Sequence, residues 1–118
     1  MPNPILTEIT DNQHFQRLLA ENPGEFVVKF GADWCGPCKL IEKDVKYCFE
    51  RMPDTVQCAI VDIDENLDTY AFLKTKKMVN GIPAVLCWKK GNVSFVPDDV
   101  VLGANMEQLR QFFDRRLR

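Results

Sequence analysis

Cys35 and Cys38, separated by Gly36-Pro37 and flanked by Trp34 and Lys39, are the residues of this chain whose type and spacing can do chemistry. Two thiols this close can join as a disulfide and reopen on a partner. Exchange needs a thiolate, because the neutral thiol is a poor nucleophile. Pro37 suits a first helical turn, where its missing N–H leaves nothing unpaired, and good helix formers follow it. The pair therefore stands at the start of a helix, where free N–H groups and the positive dipole end stabilise an anion. In the expected cycle Cys35 attacks a partner disulfide, and the more buried Cys38 then attacks Cys35 and releases the reduced partner.

Other uses of this spacing need other residues. A zinc site would want two further ligands at suitable spacing, and the sole histidine, His14, falls on a surface helix. A static structural disulfide suits a reducing compartment poorly. No metal is expected, and no cofactor beyond the redox-active pair itself. Histidine-assisted hydrolysis by a cysteine is disfavoured because His14 is remote in the expected fold. Asp62, Asp64 and Glu65 resemble a cation cluster superficially but read as helix entry and loop. Directly before the first thiol, Trp34 reads as an apolar lid and partner surface, with ordinary core packing as the alternative.

The elements that must position this pair are legible from periodicity. Phe26-Val27-Val28-Lys29-Phe30 reads as a buried strand, preceded by a short strand over 5–9 and a helix that Asp11 or Thr10 caps and that buries Phe15, Leu18 and Leu19. Leu40, Ile41, Val45, Phe49 and Met52 recur at helical spacing from Pro37 onward. The apolar run over 56–63 is a strand covered on both faces, and a third helix is expected over 68–76. Two antiparallel strands are expected over 84–88 and 93–96 around Lys89-Lys90-Gly91-Asn92. Pro97 breaks the second arm, which can resume over 100–102. A last helix begins near Asn105, with Gln108 completing a capping box; its basic end, Arg115-Arg116-Leu117-Arg118, reads as solvated. The sum is an α/β three-layer sandwich, a mixed sheet of about five strands flanked by four helices.

Composition agrees with a single domain over 1–118: 46% of the residues are hydrophobic and 27% charged, enough for a real core. A formal net charge of −2 gives no reason to expect nucleic acid or a membrane surface as partner. The N-terminus carries neither a basic lead nor a long apolar stretch, so no signal peptide or membrane span is expected. Five cysteines, an odd number, point to a reducing, cytoplasmic location, and a monomer is expected.

The quoted residues resemble the thioredoxin family. Trp34-Cys35-Gly36-Pro37-Cys38-Lys39 matches its active-site motif without a mismatch. Gly81-Ile82-Pro83 is similar to the loop whose proline is cis and lies against the disulfide. Asp62-Ile63-Asp64-Glu65-Asn66, Lys89-Lys90-Gly91 and Gly103 match in order and spacing. The resemblance implies the thioredoxin fold, dithiol–disulfide exchange on protein disulfides through Cys35 and Cys38, and a thioredoxin reductase as electron donor. It also implies a partner-binding surface of Trp34, Gly36, Pro37, Ile82, Pro83 and Gly103, with the Ile82 backbone pairing an extended partner segment.

Lys29 departs most from that pattern. Family members usually place a buried aspartate there, under the second sulfur, to take the resolving thiol's proton. Alternation along the strand puts Phe26, Val28 and Phe30 on one face, Val27 and Lys29 on the other. Lys29 therefore starts from the interior and joins the catalytic candidates. A charged amine favours the thiolate, a neutral one acts as base, and a stem reaching water does neither. Gly31 stands where a bulky residue is common, which widens the groove beside Trp34, and Lys43 replaces a helix-kinking proline. Cys48, Cys58 and Cys87 read as core. Two other functional readings stay open: a scaffold subunit of this fold with little turnover, and a more oxidising thiol oxidase or isomerase.

Overall fold

The computed structural model describes residues 2–65, 71 and 81–117. Along the chain run α1 (Asn12–Ala20), β1 (Glu25–Gly31), α2 (Gly36–Phe49), β2 (Val56–Asp62), β3 (Ala84–Lys89), β4 (Asp99–Leu102) and α3 (Met106–Arg116). The sheet order is β2-β1-β3-β4. β1 pairs with β2 in parallel, as a helical crossover between them requires, while β1–β3 and β3–β4 are antiparallel.

β1 is central, and its alternation decides the two cores. Phe26, Val28 and Phe30 join Phe15 and Leu19 of α1 with Leu86 and Trp88 of β3 on one face. On the other, Val27 and Val85 meet Ile41, Val45 and Phe49 of α2 and Leu109, Phe112 and Phe113 of α3. Phe15 sets its ring edge-on to Trp88 at 5.1 Å, and Phe49 meets Phe113 at 5.7 Å. Each such buried side chain contributes roughly 1.5–3 kcal/mol relative to exposure. α2 runs without interruption past Lys43 and holds one end of the dithiol turn against this double-sided core.

Three expectations change, and a fourth goes untested. The strand expected over 5–9 is a single bridge from Leu6 to Ala59, closed by Leu6 N to Cys58 O and Ile60 N to Leu6 O; on its N-terminal side Pro4 lacks the donor to extend it. Apart from Ala71, the helix expected over 68–76 lies outside the described residues, among which the elements are four strands and three helices. The turn at Lys89 forms, with Gly91 at φ +93, but the strand over 93–96 does not. Asn92 instead folds the segment into a loop, donating to Val96 O and Asp98 Oδ2 and accepting from Ser94. Phe95 is thereby stacked on Phe15 at 5.6 Å, and pairing with β3 resumes only at Asp99–Leu102. Finally, the basic end of α3 is not simply solvated: Arg116 is 5% exposed, lying over the Phe112 ring and within ion-pair distance of Glu25 and Asp99.

Candidate active site

Cys35 is the N-cap of α2. Its extended backbone, φ −90 and ψ 109, lets the side chain turn back over the helix start. There its Sγ accepts a hydrogen bond from Cys38 N at 3.2 Å, while its own N–H donates to Ala32 O at 3.1 Å. A sulfur thus occupies the place an aspartate or serine oxygen takes in ordinary caps. Cys35 and Cys38 are joined as a disulfide, with Cα atoms 5.2 Å apart. The expected contrast in burial is nearly absent in this oxidised form, since the residues are 5% and 3% exposed. The cap bond is what separates them: it favours negative charge on Cys35 once the pair is reduced.

Trp34, 68% exposed, is no part of the core. Its Nε1 donates to Asp64 Oδ2 at 2.9 Å, and Asp64 N is held by Asp62 Oδ1. The acidic segment after β2 therefore steadies the indole, and no group suited to a metal occurs among the described residues. The Ile82-Pro83 bond is cis, and Ile82 packs against the apolar cluster containing both cysteines. Pro83 O accepts from Gly103 N at 2.8 Å, and Gly103 has φ +79, a left-handed conformation that glycine adopts freely. This ties the exit of β4 to the entry of β3. Gly36 and Pro37 are exposed beside the sulfurs. His14, as expected, is elsewhere, accepting from Thr10 N at the start of α1.

Behind Cys38 lies a half-open cavity of ≈ 90 Å³, lined among others by Lys29, Gly31, Asp33, Cys38, Glu42 and Asp62. Lys29 pairs with Ile60 on one side and Val85 on the other. It is 5% exposed, so its stem does not carry the ammonium into open water. Burial pulls its pKa below the usual lysine value, and the Glu42 carboxylate opposes that pull. Gly31 opens this cavity rather than the groove beside Trp34: a Cβ there would sit 3.5 Å from Cys38 Sγ and 3.6 Å from Lys29 Cε. The two atoms are therefore separated by no more than the sum of those distances. Glu42 was missed from sequence, although its i+4 spacing from Cys38 was a signal.

The other three cysteines are free. Cys58 and Cys87 are buried core residues, whereas Cys48 is only half-buried. Burial pushes the Cys58 thiol up to about 12. It raises Cys87 as well, whose Sγ lies 3.3 Å from Glu25 Oε2.

With this geometry in view, the similarities are specific. The family profile described as Thioredoxin matches residues 6–115. A thioredoxin of Acidithiobacillus ferridurans is 33% identical over 118 residues, covering 99% of this chain and 100% of that one. A mitochondrial thioredoxin of Bos taurus is 34% identical over 85 residues, which is 72% of this chain. The chain spans about half, 49%, of that longer relative. The structure of Trichomonas vaginalis thioredoxin superposes with a TM-score of 0.76 at 26% identity, covering 95% of this chain and 96% of that one. On its sequence, its fold and the setting of its dithiol, this chain belongs to the thioredoxin family.

Proposed function

We propose that this protein is a protein-disulfide oxidoreductase working by dithiol–disulfide exchange. The observation that carries this reading is the Cys35–Cys38 disulfide at the opening of α2, with Cys38 N–H directed at Cys35 Sγ. In the reduced protein that N–H, with the helix dipole, stabilises the Cys35 thiolate. The thiolate attacks one sulfur of a partner disulfide; a Cys35–partner bond forms and the partner's other sulfur leaves as a thiolate that takes a proton. Cys38 then loses its proton and attacks Cys35 Sγ. The Cys35–Cys38 bond forms, the bond to the partner breaks, and the partner has gained two electrons.

Trp34, Gly36 and Pro37 offer the partner an apolar surface, while Ile82, Pro83 and Gly103 border it on the other side. The Ile82 backbone, outside the β3 ladder, can pair with an extended segment carrying the disulfide. No metal or organic cofactor enters these steps. Electrons return to the oxidised pair from a thioredoxin reductase, which makes the protein a carrier in electron transport. The odd set of cysteines suits a reducing cytoplasm, and the small net charge of −2 gives no pull towards nucleic-acid or membrane partners.

Reduction of insulin disulfides tests the reading. The native chain should turn over, Cys35→Ser should lose activity by at least about a thousandfold, and Cys38→Ser should accumulate a mixed disulfide with insulin through Cys35. A native chain that folds, closes its disulfide and yet reduces nothing would point to a docking scaffold instead.

A further inference from the structure

We propose that the Lys29 ammonium, held in the cavity behind Cys38, is a positioning charge that stabilises the Cys38 thiolate as it resolves the mixed disulfide. The inference rests on the exchange reaction proposed above and assigns the group that makes its second step fast.

The geometry supports it in four ways. Lys29 sits on the central strand, and both its Cε and the Cys38 sulfur border the space that Gly31 leaves empty. Of the charged side chains lining the cavity, Lys29 is buried, whereas Asp33, Lys39 and Glu42 are exposed and Asp62 is half-buried. Water screens the exposed charges, so the buried cation weighs more at the sulfur than its exposed neighbours do. Glu42 reaches the same cavity from α2 and favours the protonated amine, offsetting part of the burial that disfavours it. The residues beside Lys29 in the sheet, Ile60 and Val85, are apolar and keep that side of the charge dry.

The proton balance follows from this arrangement. Cys38 gives its proton to water at the open side of the cavity, and the resulting thiolate is held by an ammonium that stays protonated throughout. After attack the negative charge leaves on the partner sulfur. The ammonium lowers the energy of Cys38 S⁻ without taking part in a bond. By the same attraction it stabilises the reduced, ionised protein, so the couple is more oxidising than it would be without the charge.

Two variants in the full chain separate this role from others. Lys29→Met keeps the length and removes the charge; Lys29→Arg keeps a cation that cannot give up its proton. The readouts are the rate of insulin release from the mixed disulfide and the reduction potential against glutathione, both followed across pH from neutral upward. Lys29→Met should slow release about tenfold at neutral pH, move its pH profile upward and shift the potential about 30 mV to more reducing values. Lys29→Arg should stay within about threefold of the native rate, a margin of under 1 kcal/mol. Native rate and potential in Lys29→Met would overturn the proposal. So would Lys29→Arg failing as Lys29→Met does, which would assign a neutral amine acting as base. If Lys29→Met does not fold, judged by circular dichroism, Lys29→Gln carries the same comparison. Failure of Cys35 to form any mixed disulfide in the Cys38→Ser variant would instead overturn the exchange reading itself.

Discussion

Cys58 on β2 and Cys87 on β3 are 2% and 0% exposed, and their surroundings disfavour the thiolate. With the Cys58 thiol at about 12, only about one molecule in ten thousand carries that thiolate at pH 8. Cys35, by contrast, receives an N–H bond at a helix start. Cys48 stands between: burial and Asp44 raise its pKa while Arg51 lowers it. Mild reduction followed by iodoacetamide at pH 8 should therefore label Cys35 first, and leave Cys58 and Cys87 unmodified until the chain unfolds. Mass mapping of the labelled peptides checks this; folded-state labelling of Cys58 at the rate of Cys35 would contradict it. The residue scale was the most legible one. The dithiol, its helix start and the inward-facing Lys29 all follow from types and spacing within a few positions, whereas the Trp34 partner Asp64, thirty positions away, has no local signal.

Helix starts carry the clearest element-level signals, since a cap and the groups it satisfies lie within one turn. Asp11 Oδ1 accepts from His14 N at 2.7 Å, and Asn105 Oδ1 from Gln108 N at 2.9 Å. Asn105→Ala should destabilise the protein by about 1 kcal/mol, while Asn105→Asp, which keeps an acceptor, should cost only a few tenths. Urea titration reads both, and equal losses in the two variants would remove the cap as the cause. The second arm of the β3 hairpin was harder to read. Val93 to Val96 has the composition of a strand, but four side-chain bonds around Asn92 and Ser94 close it into a loop. Short polar side chains competing with the ladder in this way are visible only when the backbone is in place.

At the scale of the molecule, Arg116 joins α3 to the central strand β1 and the edge strand β4. Its Nε lies 2.9 Å from Glu25 Oε2 on β1, close as an ion pair but not aligned as a hydrogen bond. Its Nη2 donates to Asp99 Oδ2 of β4 at 3.1 Å, and Arg115 holds both oxygens of the same carboxylate. Burial alone would raise Asp99, but the Arg115 hydrogen bond and the two guanidinium charges outweigh it and hold the carboxyl below its ordinary 3.8. An acid with a depressed folded-state pKa stabilises the fold above its unfolded value, and that contribution is lost as pH falls through the folded one. Asp99→Asn should thus cost roughly 1–3 kcal/mol at neutral pH. The difference from the native chain should close as pH falls through the depressed folded-state value, where the native carboxyl is protonated too. Thermal unfolding from pH 7 to pH 2 follows this, and a gap that stays constant would assign the cost to packing.

What the sequence alone determined about this protein is the chemistry and its immediate frame. Two thiols on one helical turn, a strand alternating two apolar faces, and caps within three residues of what they satisfy are all written in neighbouring positions. The tertiary structure decided everything that joins distant positions. It brought Pro83 and Gly103 together and matched Arg116 to Glu25 and Asp99. It also opened a cavity where Gly31 leaves room between Lys29 and Cys38. Periodicity reports which face of an element is buried, but not which residue of another element will meet it there. That is settled by register and close packing, which depend on the whole core at once.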